Sequence, residues 1–135
     1  MPIDLRYDPE KKILYSRVKG TVSFEEFQST MKLITRSGQF PQNANALWDL
    51  RELDFETIDS DFWKRIINIR KQYPERGQAL LAHVVQGDLA YGMLRMYEIL
   101  ADSDSNGLAQ HIKVFKNCSD AEKWLLNKGD AGADP

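Results

Sequence analysis

Ile112-Lys-Val-Phe-Lys-Asn-Cys-Ser-Asp-Ala-Glu-Lys-Trp-Leu-Leu126 reads as a strand running into a helix. Ile112 to Phe115 is a short apolar run of the kind buried in a sheet. Ser119 and Glu122 then form an S-x-x-E capping box, in which hydroxyl and carboxylate each meet an orphan backbone N–H. Trp124 and Leu125 give the new helix an apolar face. The same grammar occurs earlier, where a strand ends at Gly20 and Ser23-Phe-Glu-Glu26 supplies cap and partner.

Working outward, Ile3 to Tyr7 alternates apolar and polar, Asp8-Pro-Glu-Lys11 suits a type I turn, and Ile13 to Lys19 returns as the partner strand. A helix over 24–36 places Phe24, Phe27, Met31 and Ile34 on one stripe, with Gly38 as its stop. Ala46 to Leu50 is a third strand, and a second helix runs from Ile58 to Tyr73, closed by Pro74. Ala79 to Val85 is apolar except for His83, as expected of a strand buried on both faces. A third helix covers 89–101, followed by a polar loop over 102–110. The order β-β-α-β-α-β-α-β-α predicts an α/β fold, with helices packed on a mixed sheet whose later strands run parallel.

At 135 residues, 42% hydrophobic and 28% charged, the chain reads as one globular domain over 1–127 with a disordered tail over 128–135. Eighteen basic and twenty acidic residues leave a net charge of −2 without a basic stripe, which argues against nucleic acid as a partner. The first residues lack the apolar core of a secretory leader, no run is long enough to cross a bilayer, and the single cysteine, Cys118, fits a reducing compartment. A cytoplasmic location is the expectation.

The element order over residues 3–126 resembles the STAS/SpoIIAA-like superfamily, the fold of anti-sigma factor antagonists and of the cytoplasmic domains of anion transporters. The chain is similar to bacterial STAS/SEC14-type single-domain proteins in Leu47-Trp-Asp-Leu-Arg51, Ala90-Tyr-Gly-Met-Leu-Arg-Met-Tyr-Glu98 and Val114-Phe-Lys-Asn-Cys-Ser-Asp-Ala-Glu-Lys-Trp-Leu125. The antagonists carry a phosphorylated serine in a D-S-S-G-L motif. Here the matching segment is Ile58-Asp59-Ser60-Asp61-Phe62, with Asp61 at the phosphorylated position. Ser60 is the remaining phosphorylation candidate, and its acidic flanks oppose added negative charge.

No motif names a catalytic activity or a cofactor. Asp102-Ser-Asp-Ser-Asn-Gly107 copies the start of a calcium loop, but Lys113 stands where the bidentate carboxylate belongs, so a polar turn is expected. His83 and His111 have no metal-ligand spacing; His83 reads as a packed, hydrogen-bonded core residue. Acids at the helix starts argue against a nucleotide.

A polar ligand site would lie beyond the carboxyl ends of the parallel strands, at Asp49, Arg51, Gln86, Asp88 and Lys116. An Asp49–Arg51 ion pair is the competing reading. On the second helix, Ile58, Phe62, Ile66, Ile69 and Tyr73 form the expected core stripe, leaving Trp63 and Ile67 for a neighbouring helix, a second subunit or an apolar ligand. On the third, a stripe centred on Met93 takes in Leu89, Met96, Tyr97 and Leu100, with Tyr91, Arg95 and Glu98 opposite.

Two readings follow. One is a non-enzymatic interaction module, meeting a protein partner or a second copy through Trp63, Ile67, Tyr91 and Arg95. The other is a carrier of a small apolar or lipid-like ligand, any carboxylate being met by Arg51.

Overall fold

The computed structural model describes residues 2–102 and 111–130. Its order is β1 (Ile3–Asp8), β2 (Ile13–Gly20), α1 (Phe24–Arg36), β3 (Asn45–Leu53), α2 (Ser60–Arg70), β4 (Leu80–Val84), α3 (Asp88–Asp102), β5 (His111–Phe115) and α4 (Cys118–Asp130). Single 3-10 turns at Phe55–Thr57 and Pro74–Arg76 flank α2. Among the described residues, no helix is long and apolar enough to cross a membrane.

The five strands lie in sequence order, β1-β2-β3-β4-β5. The β1–β2 pair is antiparallel and the other three are parallel. Stepping one way across the sheet stacks α1, α2 and α3 on one face, over Leu14, Val18, Trp48, Leu50 and Leu81. The opposite parity of the same strands (Ile13, Leu47, Ala82, Val84) is covered by Ala121 and Leu125 of α4. This strict period-two division is why β4 carries no solvent face.

The α1 capping box is present: Ser23 Oγ accepts from Glu26 N at 3.0 Å, and Ser23 N donates to Glu26 Oε1 at 2.8 Å. The α4 box is not. Asn117 takes the cap, accepting from Asp120 N at 2.8 Å and donating to the Asp120 carboxylate at 3.0 Å. Asn caps as well as Ser, and starting two residues earlier frees Glu122 to accept from the Tyr15 hydroxyl at 2.6 Å. At its other end α4 runs to Asp130, three residues into the segment expected to be a tail. Beyond Asp102, the calcium-like string lies outside the described residues.

Helix α2 is shorter than predicted, because the Asp59 side chain accepts from Phe62 N and begins it at Ser60. Its phase also differs. Trp63, Ile66, Ile67 and Arg70 face the sheet, with Trp63 at 6% exposure and Ile67 at 0%. These two apolar side chains are core, covering the sheet rather than awaiting a partner. In α3 the buried positions are Ala90, Leu94, Tyr97 and Ala101, whereas Leu89, Met96 and Ile99 are exposed. The sheet admits the small side chains Ala90 and Ala101, and the bulkier stripe turns outward.

Candidate functional site

A run of large side chains fills the space between the sheet and α2. Residues 63, 66 or 67, and 70 recur at helical spacing, so α2 lays Trp63, Ile66 and Arg70 on its inner face. Beneath them, Trp48 of β3 stands directly beside His83 of β4. Tyr97 arrives from α3, its ring 5.1 Å from Trp63 and 5.7 Å from His83. These residues line a cavity of about 40 Å³, together with apolar groups including Val18, Leu50 and Phe62.

The cavity surface is almost wholly apolar. Polar atoms are nevertheless concentrated in its wall. Among the described residues, eight buried side-chain nitrogen or oxygen atoms lack a hydrogen-bond partner. Six of the eight belong to cavity residues: Trp48 Nε1, Trp63 Nε1, Arg70 Nε and Nη1, His83 Nδ1 and Tyr97 Oη. Folded proteins leave few such groups, and each requires an explanation. His83 is therefore packed as expected, but Nδ1 is not hydrogen-bonded.

Arg70 is the most costly member. It is 4% exposed and forms no ion pair with a carboxylate among the described residues. Its guanidinium instead lies 5.4 Å from the Phe27 ring and 5.3 Å from the Trp48 ring. Its charge reaches its neighbours. Burial, seconded by Arg70, pushes the His83 pKa well below the ordinary histidine value, so the imidazole is neutral. Burial raises the Tyr97 pKa, with Arg70 working the other way. A second buried arginine, Arg76, is lowered to about 10 by burial and then by Arg70, and it donates to Gln42 O at 3.0 Å.

Toward the carboxyl ends of β2 and β3, a vestibule of about 270 Å³ lies between the β2–α1 and β3–α2 connections. Val22, Leu53 and Phe62 form the wall common to vestibule and cavity.

The residues expected to make a polar site meet in pairs instead. Arg51 grips Asp49 through Nε at 2.9 Å and Nη2 at 2.8 Å. That grip holds Asp49 below the usual carboxylate range and raises Arg51, so neither is poised for proton transfer near neutrality. Lys116 reaches Asp88 at 3.1 Å and lies over the Tyr91 ring at 4.9 Å. Arg95 bonds Glu98 at 2.6 Å, and the other Glu98 oxygen accepts from Val114 N, covering the outer edge strand β5. Gln86 is exposed, and Ser60 begins α2 directly after its Asp59 cap. Burial raises the Cys118 thiol, which sits half-buried at the start of α4. Among the described residues, no group of three His, Cys, Asp or Glu side chains is placed to hold a metal ion.

The sequence reading missed Arg70, Tyr97 and His83 as a group. The available signal was periodic. With the α2 stripe centred on Trp63 and Ile67, position 70 falls on the buried face, where an arginine is anomalous.

No protein-family model matches the chain, and no curated protein does. Among solved structures, it matches an uncharacterized protein from the DUF3478 family with a SpoIIAA-like fold, from Shewanella loihica PV-4. The two share 18% identity over 91% of each chain, with a TM-score of 0.62. The chain thus has a SpoIIAA-like α/β fold, a five-stranded mixed sheet with four helices.

Proposed function

We propose that the domain is a non-enzymatic binding module for a small apolar ligand, held between the sheet and α2. The observation that carries this reading is the aromatic-walled cavity beneath α2, which shares Val22, Leu53 and Phe62 with the vestibule at the strand ends. The vestibule, about 270 Å³, is near the lower end of ordinary ligand pockets, about 300 Å³. Their address, beside the carboxyl ends of parallel strands, is where open α/β sheets receive ligands.

Native mass spectrometry of the delipidated protein with methyl octanoate tests it. One ester per chain is expected, and Val22→Trp, which fills the common wall, should lower its occupancy at least tenfold. Failure of the ester to bind the unaltered protein would remove the proposal.

A second reading, self-association, has one observation in its favour. Leu89, Met96 and Ile99 are 68%, 54% and 64% exposed. With Gly92 between them they recur at 3-4-3 spacing, the seam of an antiparallel or parallel helix pair, and Gly92 faces open space where a backbone could approach. Its occupant would be α3 of a second copy, and sedimentation velocity reads it directly.

A further inference from the structure

We infer that the inner end of the α2 cavity is an anion site, built on Arg70 with His83 and Tyr97, and that its ligand is a monocarboxylate with an apolar body. This inference rests on the pocket reading and names the ligand class for that pocket.

A guanidinium offers five N–H donors in a planar fork suited to a carboxylate. Arg70 keeps Nε and Nη1 without partners, although its side chain is 96% buried by its 4% exposure. Buried charges in folded proteins are paired, because desolvation without compensation costs several kcal/mol per ion. Among the described residues, no carboxylate pairs with this one. Arg76 is a second buried arginine, near enough for burial and then the Arg70 charge to lower it. The inner end of the cavity therefore holds the Arg70 charge inside an apolar shell, the electrostatic complement of a ligand anion.

The neighbours fit the same chemistry. Trp48 Nε1 is a further unpaired donor in the cavity wall, the Tyr97 hydroxyl lies beside the Arg70 guanidinium, and neutral His83 has one donor and one acceptor nitrogen. Phe62, at the apolar end, and Arg70 stand eight helical rises apart, about 12 Å along α2. That length suits a medium-chain or aromatic acid with its head inward. A small cavity of 40 Å³ also has room for two or three waters, at roughly 10–15 Å³ each. Waters would satisfy the same donors without selecting a ligand, so the test must separate the two occupants.

Octanoate and methyl octanoate differ only at the head. Titration of each into the delipidated protein is followed by tryptophan fluorescence, since Trp48 and Trp63 line the cavity. The Arg70 Nε–H resonance is followed by NMR. Octanoate is expected to bind at least tenfold more tightly than the ester and to shift the Arg70 resonance. Arg70→Met should abolish that preference.

Equal affinity for acid and ester would refute the anion site and leave the apolar pocket standing. An acid preference that survives in Arg70→Met would place the anion elsewhere and refute the assignment. Binding of neither would refute the pocket itself. Should Arg70→Met not fold, the acid-to-ester ratio and the resonance shift in the unaltered protein still decide.

Discussion

Replacing Arg70 by Met should make the ligand-free protein more stable. Truncating a buried side chain that packs well normally costs stability, so the opposite sign is diagnostic. The unaltered chain buries a full positive charge with two N–H groups unpaired. Each unpaired buried donor costs about 1–3 kcal/mol, the upper part applying to charged groups. Against this stand two cation–π contacts at 5.3 and 5.4 Å, close to the outer limit of such interactions. At so buried a site they return up to about 2 kcal/mol each, against about 3 kcal/mol for each of the two charged donors. Met keeps most of the volume and adapts to irregular gaps. The net expectation is a gain of about 2 kcal/mol, roughly 6–10 °C in Tm for a chain of this length.

Two control variants frame the result. Arg76 is equally buried but donates to Gln42 O, so Arg76→Met should lose about 1–3 kcal/mol by orphaning that carbonyl. Exposed Arg36 bonds Glu75 and Gln72 O, so Arg36→Met should lose less than about 1 kcal/mol. Urea unfolding at pH 7.4, with the slope checked for constancy, measures all three. If Arg70→Met loses more than about 1 kcal/mol, the guanidinium is satisfied structurally in the free protein, and an unpaired charge kept for a ligand is the wrong explanation.

Three further outcomes are expected. His83 has a depressed pKa in the fold, so the unfolded chain binds a proton below about 6.5 that the folded chain refuses; its contribution is whole above that pH and declines below it. Stability should fall by up to about 2 kcal/mol between pH 7.5 and 5, and His83→Leu should flatten that window in urea unfolding measured across it. Asn117→Ala should cost about 1 kcal/mol and Ser119→Ala almost nothing, because Asn117 holds the α4 cap; equal losses by thermal melts would restore the serine cap. If α3 pairs two copies, Met96→Asp together with Ile99→Asp should convert a dimer to a monomer in sedimentation velocity without lowering Tm, and a species unchanged by the substitutions would eliminate this surface.

Strand signals were legible in the sequence wherever the apolar residues and the polar residues agreed. β2, β3 and β4 alternate or run continuously apolar, and every one of them pairs as the element order requires. Ser23 and Glu26 announce α1, and the reciprocal box they spell is the one the helix uses. The start of α4 was misread for the opposite reason: Asn117 and Ser119 are both good caps two residues apart, and only the position of the preceding turn chooses between them. Asp49 and Arg51 were legible as neighbours, but spacing alone cannot say whether two opposite charges satisfy each other or wait for a ligand.

The helix faces failed in a more instructive way. A periodicity argument weights each side chain by its hydrophobicity, so α3 appears to centre on Met93 when its true inner face is Ala90, Leu94, Tyr97 and Ala101. The same weighting counts Arg70 against the face of α2 that actually enters the core. Both errors arise where polar or small residues go in and apolar ones stay out, a pattern that self-contained folding does not favour. Local pattern and packed structure disagree most at functional positions. Here the one inward departure, Arg70, meets the expected core residues His83 and Tyr97 at a single cavity wall. Random relaxation of a core would leave unpaired atoms dispersed over both faces of the sheet. Six of the eight unpaired buried atoms instead line this one cavity, and that concentration is what the binding reading explains.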